Sequence, residues 1–401
     1  MEENDHFLSF HQKKTRKKLG KQNTHNQNKN IKGIKSINKN NIPQKFYISI
    51  VVILILINVF LFVKMEKLSE KFLKLKKDYD DEPEINDTKI NPRLFQYKVD
   101  NVNKKSKKRQ IHISMAIDSN FIFPALVSMT SALENNNNKI NIIVYHLLIT
   151  QGFDIKNIEI FDSLKKKYKV KLNYYIIPNI FEKYRAWVGG TSTVYFKMLL
   201  PLIMHDLERI IYLDADTLIF KDLYEMYSLP FNDNYVLGYP FHDVNKIDQF
   251  VQNATYYVNG GVLLFNIDQI RKDNKDIELI RFTIQKNSNL WFLEQDSINI
   301  VFYNKVGILP LKYGIYMYGD INSFEKSIQI RIRFKLNRTE VINAIDDPSI
   351  VHFSCCNPKI WNKESGNEFG VNSICKRFHD EFYYYVNKTD YSTEIYNKYM
   401  K

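Results

Sequence analysis

From residue 111 onward, short runs of apolar residues alternate with longer amphipathic stretches. This alternation predicts an α/β domain, because strands bury the apolar runs and helices cover the faces of their sheet. The predicted strands are residues 111–117, 140–148, 170–177, 209–213, 235–239 and 258–265, and the predicted helices are residues 124–134 and 154–168. Ligands of such sheets bind in loops at the carboxyl ends of strands, so residues that carry chemistry are expected directly after strands.

The charge of the chain is divided unevenly along its length. Residues 1–109 hold 25 Lys and Arg against 12 Asp and Glu, whereas residues 110–401 hold 32 of each, so the formal net charge of +13 comes entirely from the first segment. An enzyme acting on nucleic acid spreads basic residues over the folded surface that follows the phosphates. The neutral second segment therefore argues against a nucleic-acid partner.

One segment before the α/β pattern has the length and composition of a membrane span. Residues 46–63 form an 18-residue run without a charge, interrupted only by Ser49 and Asn58 and bounded by Lys45 and Lys64. At about 1.5 Å per residue such a helix reaches roughly 27 Å, enough to cross a hydrocarbon core. The run begins too far from the first residue for a cleaved signal peptide, so it predicts an uncleaved signal anchor.

The segments around this run predict the topology. Residues 1–45 are rich in Lys, Asn and Gln and hold eleven Lys and Arg, which predicts a disordered basic tail on the cytosolic side. Residues 64–109 predict a stem, residues 110–365 one large domain, and residues 366–401 a C-terminal helical extension. We therefore expect a single-pass type II membrane protein, with its large domain in the Golgi lumen of a eukaryote or in the envelope of a bacterium.

The triplet Asp214-Ala215-Asp216 directly follows a predicted buried strand, within the sequence RIIYLDADTLIF. Two carboxylates separated by one small residue can reach a single point beyond the strand end, and hard oxygen ligands suit Mg²⁺ or Mn²⁺. A metal there can neutralise a diphosphate and stabilise the charge that grows on it as it leaves. A solvated turn with two acids is the simpler alternative.

The same triplet also resembles the first motif of haloacid dehalogenase-like phosphatases. In that interpretation Asp214 is a nucleophile and Asp216 an acid or base. However, that motif normally follows the first strand of its domain, and here several predicted strands precede it. The phosphatase is therefore kept as an alternative function.

The wider sequence resembles glycosyltransferase family 8, whose members are retaining enzymes that use nucleotide sugars on a GT-A fold. The resemblance covers nearly all of residues 111–362 and rests on several segments that occur in order. These segments are 116–121 (AIDSNF), 192–201 (STVYFKMLLP), the acidic triplet, 257–266 (YVNGGVLLFN), 293–299 (LEQDSIN), 351–354 (VHFS) and 358–361 (PKIW).

This resemblance implies a GT-A nucleotide-diphospho-sugar transferase fold, which is a Rossmann-like mixed sheet with helices on both faces. It implies a UDP-sugar donor, a glycan, glycolipid or glycoprotein acceptor, and Mn²⁺ or Mg²⁺ held by Asp214, Asp216 and His352. A histidine on a strand is otherwise usually a packed or hydrogen-bonded residue, so the ligand role of His352 comes from the resemblance.

The resemblance also implies which residues surround the donor nucleotide sugar. They are Ala116, Asp118, Asn120, Phe121, Lys197, Asp214, Ala215, Asp216, Asn259, Gly260 and Lys359. Among them, Asp118 and Asn120 are expected to hold the nucleoside and Phe121 to offer it an aromatic face, with ordinary core packing as the alternative for Phe121.

The expected catalytic residues are Gln295 and its neighbours Glu294 and Asp296. In the family the middle position lies near the reactive anomeric carbon, and Asn259 and Gly260 approach the donor sugar. Because glutamine is a poor nucleophile, Gln295 is expected to stabilise positive charge. The alternative for the two acids is that they are helix-start residues favoured by the helix dipole. A catalytically silent lectin-like protein on the same fold is a further alternative, which donor hydrolysis would distinguish.

Overall fold

Eleven strands and eleven α-helices make up the part of the chain described by the computed structural model. That part comprises residues 97–98, 108–137, 139–178, 180–182, 184, 191–240, 247, 250–251, 256–316, 338–354, 359–362 and 377–400. No helix within these ranges is both long and apolar enough to cross a membrane. The predicted anchor at 46–63 and the predicted tail at 1–45 lie outside the described residues.

The elements follow one another as β1 (Tyr97–Lys98), β2 (Arg109–Ile117), α1 (Ile122–Glu134), β3 (Asn141–Thr150), α2 (Ile158–Asp162), α3 (Leu164–Lys167), β4 (Val170–Ile177), α4 (Leu200–Ile203), β5 (Arg209–Leu213), β6 (Thr217–Ile219), α5 (Tyr224–Tyr227), β7 (Val236–Pro240), β8 (Val258–Asn266), α6 (Ile267–Lys272), α7 (Lys275–Lys286), α8 (Glu294–Val301), β9 (Val306–Ile308), β10 (Ile315–Tyr316), α9 (Arg338–Asp346), β11 (Ile350–His352), α10 (His379–Val386) and α11 (Ser392–Tyr399). Short 3₁₀ helices are found at Ile155–Asn157, Ser192–Leu199, Asn287–Asn289 and Leu311–Tyr313.

Eight strands form one mixed sheet in the order β1-β4-β3-β2-β5-β8-β7-β9. The strands β4, β3, β2 and β5 are parallel neighbours, whereas β8 is antiparallel to both β5 and β7. The predicted mixed α/β sheet is confirmed, and each of the six predicted strands matches an observed one to within two residues at either end.

Side-chain alternation along the strands supplies a hydrophobic core on each face of the sheet. In β5, Ile211 and Leu213 join a core that includes α1, while Ile210 and Tyr212 join a second core that includes α6, α7 and α8. Successive residues of a strand point to opposite faces, so both faces are apolar and both are covered by helices.

The predicted helix at 154–168 is wrong as a single element. The segment divides into the 3₁₀ turn Ile155–Asn157 and the short helices α2 and α3, with Ser163 at the junction of the two. The Ser163 hydroxyl donates to the Ile160 carbonyl at 2.6 Å.

A smaller sheet, in the order β10-β11-β6, brings distant residues to the end of β5. In it β11 runs antiparallel to β6, with His352 opposite Thr217, immediately after the acidic triplet. The pairing of β5 with β8 places Val262 opposite Leu213, so residues 259–261 extend past the end of β5. The carboxyl end of β5 is therefore surrounded by β8 and β11.

Candidate active site

Asp214, Asp216 and His352 form a cluster at the end of β5. One ligand atom from each lies within 4.8 Å of the others, and His352 Nε2 is 3.1 Å from Asp216 Oδ1 and 3.6 Å from Asp214 Oδ2. The Tyr239 hydroxyl lies 2.8 Å from His352 Nδ1, which orients the ring with Nε2 toward the carboxylates. Two carboxylates and an imidazole are ligands that suit Mn²⁺. The structure thus brings together the three predicted metal ligands.

Gly261 leaves the space in which this cluster fits. A Cβ atom at this position would lie 2.1 Å from His352 Cε1 and 2.5 Å from Asp214 Oδ2. The Gly261 carbonyl also accepts the Asp214 N–H at 2.7 Å, so the backbone of β8 lies directly against the triplet. The sequence motif Asn259-Gly-Gly drew attention to Gly260, but the glycine required by the cluster is the next one.

Lys359, which follows β11 in the chain, contacts the same cluster. Its ammonium donates to Asp216 Oδ2 at 2.7 Å and to the Phe353 carbonyl at 3.1 Å. Burial opposes ionisation of Asp216, but Lys359 and His352 outweigh burial and hold its pKa well below the ordinary value. Asp216 is therefore a carboxylate throughout the physiological range and accepts hydrogen bonds or binds a cation.

Lys197 is a buried cation, 1% exposed, on the opposite side of Asp214. Its ammonium donates to the Gly260 carbonyl at 2.8 Å, to Glu294 Oε1 at 3.1 Å and to Asp214 Oδ1 at 3.5 Å. Burial disfavours the charged form, but the Asp214 and Glu294 carboxylates prevail and raise the pKa of Lys197. One buried ammonium thus links the acidic triplet to the Gly260 backbone and to the start of α8.

The predicted sugar-binding residues Asn259 and Gly260 and the predicted catalytic Gln295 lie together. The Gly260 N–H donates to Gln295 Oε1 at 2.7 Å, and Asn259 Oδ1 accepts the Gly261 N–H at 2.6 Å. The side-chain amide of Asn299 donates to the carbonyls of Gln295 and Val258, which ties α8 to the beginning of β8. Gln295 is consequently held against the strand that carries the two glycines.

Glu294 and Asp296 are buried, with 5% and 1% of their surface exposed, so neither is a solvated helix-start acid. Burial, opposed in part by Lys197, raises the pKa of Glu294. Its second carboxylate oxygen, Oε2, is buried without a hydrogen-bond partner among the described residues. Asp296 accepts hydrogen bonds from the Tyr257 hydroxyl and from the N–H groups of Trp291 and Phe292. The two acids therefore lie in different hydrogen-bond networks.

The residues predicted to contact the nucleoside follow β2, which pairs with β5 in parallel. Asp118 is buried and accepts the Asn120 N–H at 2.7 Å and the Thr191 hydroxyl at 2.6 Å. Thr191 was missed from the sequence because a lone threonine before a 3₁₀ helix gives no signal of such a contact.

The remaining predicted nucleotide contacts occupy different environments. Ala116 is half-buried near the end of β2, Asn120 is exposed, and Ala215 is buried between the two acids of the triplet. Phe121 is half-buried and its ring meets Trp361 edge to face, with 5.8 Å between the centroids. That contact agrees with the core-packing interpretation of Phe121, while a contact with the nucleoside stays a prediction.

Comparison with known proteins finds one family and several related structures. A family model described as glycosyl transferase family 8 matches residues 112–365. The lipopolysaccharide 1,2-glucosyltransferase of Escherichia coli is 26% identical over 264 residues, which cover 63% of this chain and 73% of that one.

Solved structures that share the fold include two glycosyltransferases. The galactosyltransferase LgtC, crystallised with donor and acceptor sugar analogues, has a TM-score of 0.56 at 15% identity, and the match covers 70% of this chain and 96% of LgtC. The apo bifunctional glycosyltransferase WbbM has a TM-score of 0.57 at 21% identity, covering 75% of this chain and 53% of WbbM. This chain therefore spans about half the length of WbbM and most of the length of LgtC.

Proposed function

Since the chain belongs to glycosyl transferase family 8 and is thus a glycosyltransferase, we propose that it moves a hexose from a UDP-sugar to a carbohydrate acceptor, with retention of the anomeric configuration and with a divalent cation. The observation that carries this proposal is the Asp214, Asp216 and His352 cluster at the end of β5. Among the described residues, this cluster places two carboxyl groups beside an imidazole that is oriented by Tyr239.

The residues of the cluster fit Mn²⁺ or Mg²⁺. Gly261 leaves room beside them that a Cβ would fill, and their carboxylate oxygens are donors that both ions accept. The imidazole of His352 favours Mn²⁺ over Mg²⁺, which takes oxygen ligands. When bound, the ion supplies positive charge that neutralises the diphosphate of the donor. Lys359, with its ammonium already at Asp216, adds a second positive charge that can contact the same diphosphate.

On the sugar side, the protein contributes buried polar groups. Gln295 Oε1 faces the Gly260 N–H, and its second lone pair is available to positive charge developing on the sugar ring. The amide is a poor nucleophile, which favours departure of UDP and attack by the acceptor on the same face. Glu294 Oε2, buried without a hydrogen-bond partner among the described residues, is suited to accept a hydrogen bond from a sugar hydroxyl.

The relatives suggest the identity of the sugar. The E. coli relative is a lipopolysaccharide glucosyltransferase and LgtC is a galactosyltransferase. We therefore propose glucose or galactose as the transferred hexose and a saccharide such as that of lipopolysaccharide as the acceptor. The charge-free run at 46–63 supports attachment of the enzyme to a membrane, as a type II protein.

The test is incubation of the full chain with UDP-glucose or UDP-galactose and Mn²⁺, with and without a lipopolysaccharide-derived oligosaccharide. We expect UDP release and, with acceptor, a product one hexose heavier whose new linkage keeps the donor configuration by NMR. Asp216→Ala should abolish both reactions, whereas Asp273→Asn, which changes an exposed carboxylate outside the site, should not.

Other outcomes would favour the alternatives. Hydrolysis of an aryl phosphate that depends on Asp214 would indicate the phosphatase, although the family favours a transferase. Glycan binding without cleavage of either donor would indicate the lectin-like protein. A product with the opposite anomeric configuration would refute retention. Recovery of the full chain in the soluble fraction after cell lysis would refute membrane attachment.

A further inference from the structure

The side-chain amide of Gln295 is hydrogen bonded at both ends. Its Oε1 accepts the Gly260 N–H at 2.7 Å, and its Nε2 donates to the Tyr257 hydroxyl at 3.2 Å. A backbone N–H can only donate, so it requires the oxygen and not the nitrogen of the amide beside it. One end of the amide is thereby fixed by the backbone of β8.

The other end is fixed by the direction of the Tyr257 hydroxyl proton. That proton points to Asp296 Oδ1. Asp296 acts as an acceptor on its other oxygen as well, because Oδ2 receives the N–H groups of Trp291 and Phe292 at 2.6 and 2.8 Å. Because its single proton is directed at Asp296, the Tyr257 hydroxyl can act toward Gln295 only as a hydrogen-bond acceptor.

Burial protects this arrangement from rearrangement by water. Tyr257 and Asp296 are each 1% exposed and Gln295 is 7% exposed. Burial, followed by the nearby Asp296 charge, raises the pKa of Tyr257 well above its ordinary value, so the hydroxyl keeps its proton. Hydrogen bonds in so dry an environment set one another's polarity.

The turn before α8 is shaped by the same carboxylate. Leu293 adopts φ 54° and ψ −123°, a backbone conformation that residues with a side chain rarely adopt. The hydrogen bonds from Trp291 and Phe292 to Asp296 hold the two residues that precede it. Asp296 thus holds both the turn and the hydroxyl that orients Gln295.

We propose that Tyr257 and Asp296 are positioning residues that keep the Gln295 amide in one orientation, with its carbonyl oxygen toward Gly260 and the donor sugar. The inference rests on the proposed function, in which that oxygen stabilises positive charge on the sugar. Rotation of the amide would replace the oxygen with an NH₂ group, whose partial positive charge opposes the charge that develops there. Asp296 therefore acts through Tyr257 and Gln295 and not on the sugar directly.

The first test is Tyr257→Phe, which removes only the hydroxyl. Hydrolysis of the UDP-sugar donor by the full chain should show a kcat about 10- to 100-fold lower, by analogy with the loss caused by removing groups that orient metal ligands. The KM for the donor should stay within about twofold, because the residues around the diphosphate are unchanged. In a Gln295→Ala background, the same substitution should cause no further loss of kcat.

Asp296→Asn tests the polarity of the network with almost no change of shape. The asparagine oxygen can still accept the N–H groups of Trp291 and Phe292, but its NH₂ group then faces Tyr257 and donates to it. The Tyr257 proton is displaced toward Gln295, whose amide must turn and present NH₂ to the Gly260 N–H, where two donors clash. We expect kcat to fall as it does in Tyr257→Phe.

A matched control is Tyr174→Phe. Tyr174 is also a buried tyrosine whose hydroxyl donates to an aspartate, Asp162, at 2.9 Å, but it lies on β4, two strands away from β2. The Tyr174→Phe variant should lower the melting temperature about as much as Tyr257→Phe does and should leave kcat unchanged.

A second readout does not depend on turnover. In protein labelled with ¹⁵N at glutamine side chains, the Gln295 amide signal, identified by its absence in Gln295→Ala, should be protected from hydrogen exchange and lose protection in Tyr257→Phe. Retained protection would overturn the inference even if no donor were cleaved. Equal losses of kcat with and without Gln295 would also overturn it. If Gln295→Ala leaves kcat intact while Asp216→Ala abolishes it, the inference fails and the proposed function stands.

Discussion

Gly261→Ala tests the geometry of the Asp214, Asp216 and His352 cluster with the addition of one methyl group. The added Cβ would lie 2.1 Å from His352 Cε1 and 2.5 Å from Asp214 Oδ2, whereas ordinary contact begins at 3.4 Å. His352 would therefore have to move by about 1.3 Å, the difference between the two distances, or the backbone of β8 would have to shift by a similar amount. Its Nδ1 is held by Tyr239, so the ring cannot move without losing that hydrogen bond.

Two magnitudes follow. Overpacking a tight site by one methyl group costs about 1–3 kcal/mol of unfolding free energy. A displacement of about 1 Å in an active site costs on the order of 100-fold in rate. We expect Gly261→Ala to lower the affinity for Mn²⁺ and the rate of donor hydrolysis by about two orders of magnitude, while the fold persists.

Isothermal titration with Mn²⁺, donor hydrolysis and urea unfolding measure these three quantities. Gly152→Ala is the control, because nothing lies within 4 Å of a Cβ at that position. Gly260→Ala is a closer comparison on the same strand, where the nearest contacts would be 3.4 Å, so its effect on unfolding free energy should be much smaller. Wild-type Mn²⁺ affinity in Gly261→Ala would refute the assignment of the cluster as the metal site.

Three further predictions concern charge. Asp216→Asn should weaken Mn²⁺ binding measured by titration more than about 100-fold, the upper range for residues that only support a ligand, and a smaller loss would contradict its role as a ligand. Lys359→Met should raise the Mn²⁺ affinity of the nucleotide-free chain, because it removes an ammonium 2.7 Å from Asp216, and should lower the affinity for UDP; an unchanged Mn²⁺ affinity would contradict this. Burial lowers the pKa of His112 from 6.5 to about 4. Between these values the unfolded chain binds a proton at His112 that the folded protein does not, so the unfolding free energy decreases as the pH falls from about 6.5 toward 4. His112→Gln should flatten the urea-unfolding free energy over that window, and an unchanged slope would refute the argument.

Much of the fold was predictable because the strand pattern is strong. Each predicted strand is a short apolar run, and the observed sheet uses all six. The strands that the sequence pattern does not predict, such as β6 and β10, have only three and two residues, too few for a periodic signal. The predicted helix at 154–168 is divided in the structure by the 3₁₀ turn at its start and by Ser163, a division that apolar periodicity does not register.

The three residues of the cluster were predictable from the sequence, and the residues that hold them in place were much less so. Asp214 and Asp216 follow a strand and His352 lies in a motif, so all three could be named from the sequence. Tyr239, in contrast, reaches His352 from a strand whose register shifts against β8 between Gly238 and Pro240. A contact of that kind depends on the pairing of strands far apart in sequence. Tyr257 likewise belongs to a sequence motif, but the motif does not indicate that it contacts Asp296 and Gln295.

The contacts between α1 and the C-terminal helices can form only after nearly all of the chain has been synthesised. Asn135, just after α1, donates to the Tyr385 hydroxyl of α10 across 250 residues of sequence, and Phe382 packs beside Trp361 and Phe353 in the core shared with α1. A nascent chain emerging at about 5–20 residues per second would wait on the order of ten seconds or more after α1 leaves the ribosome before α10 can cover it. During that interval the surface of α1 that α10 covers in the folded protein stays exposed. A premature stop codon before residue 377 would make that exposure permanent.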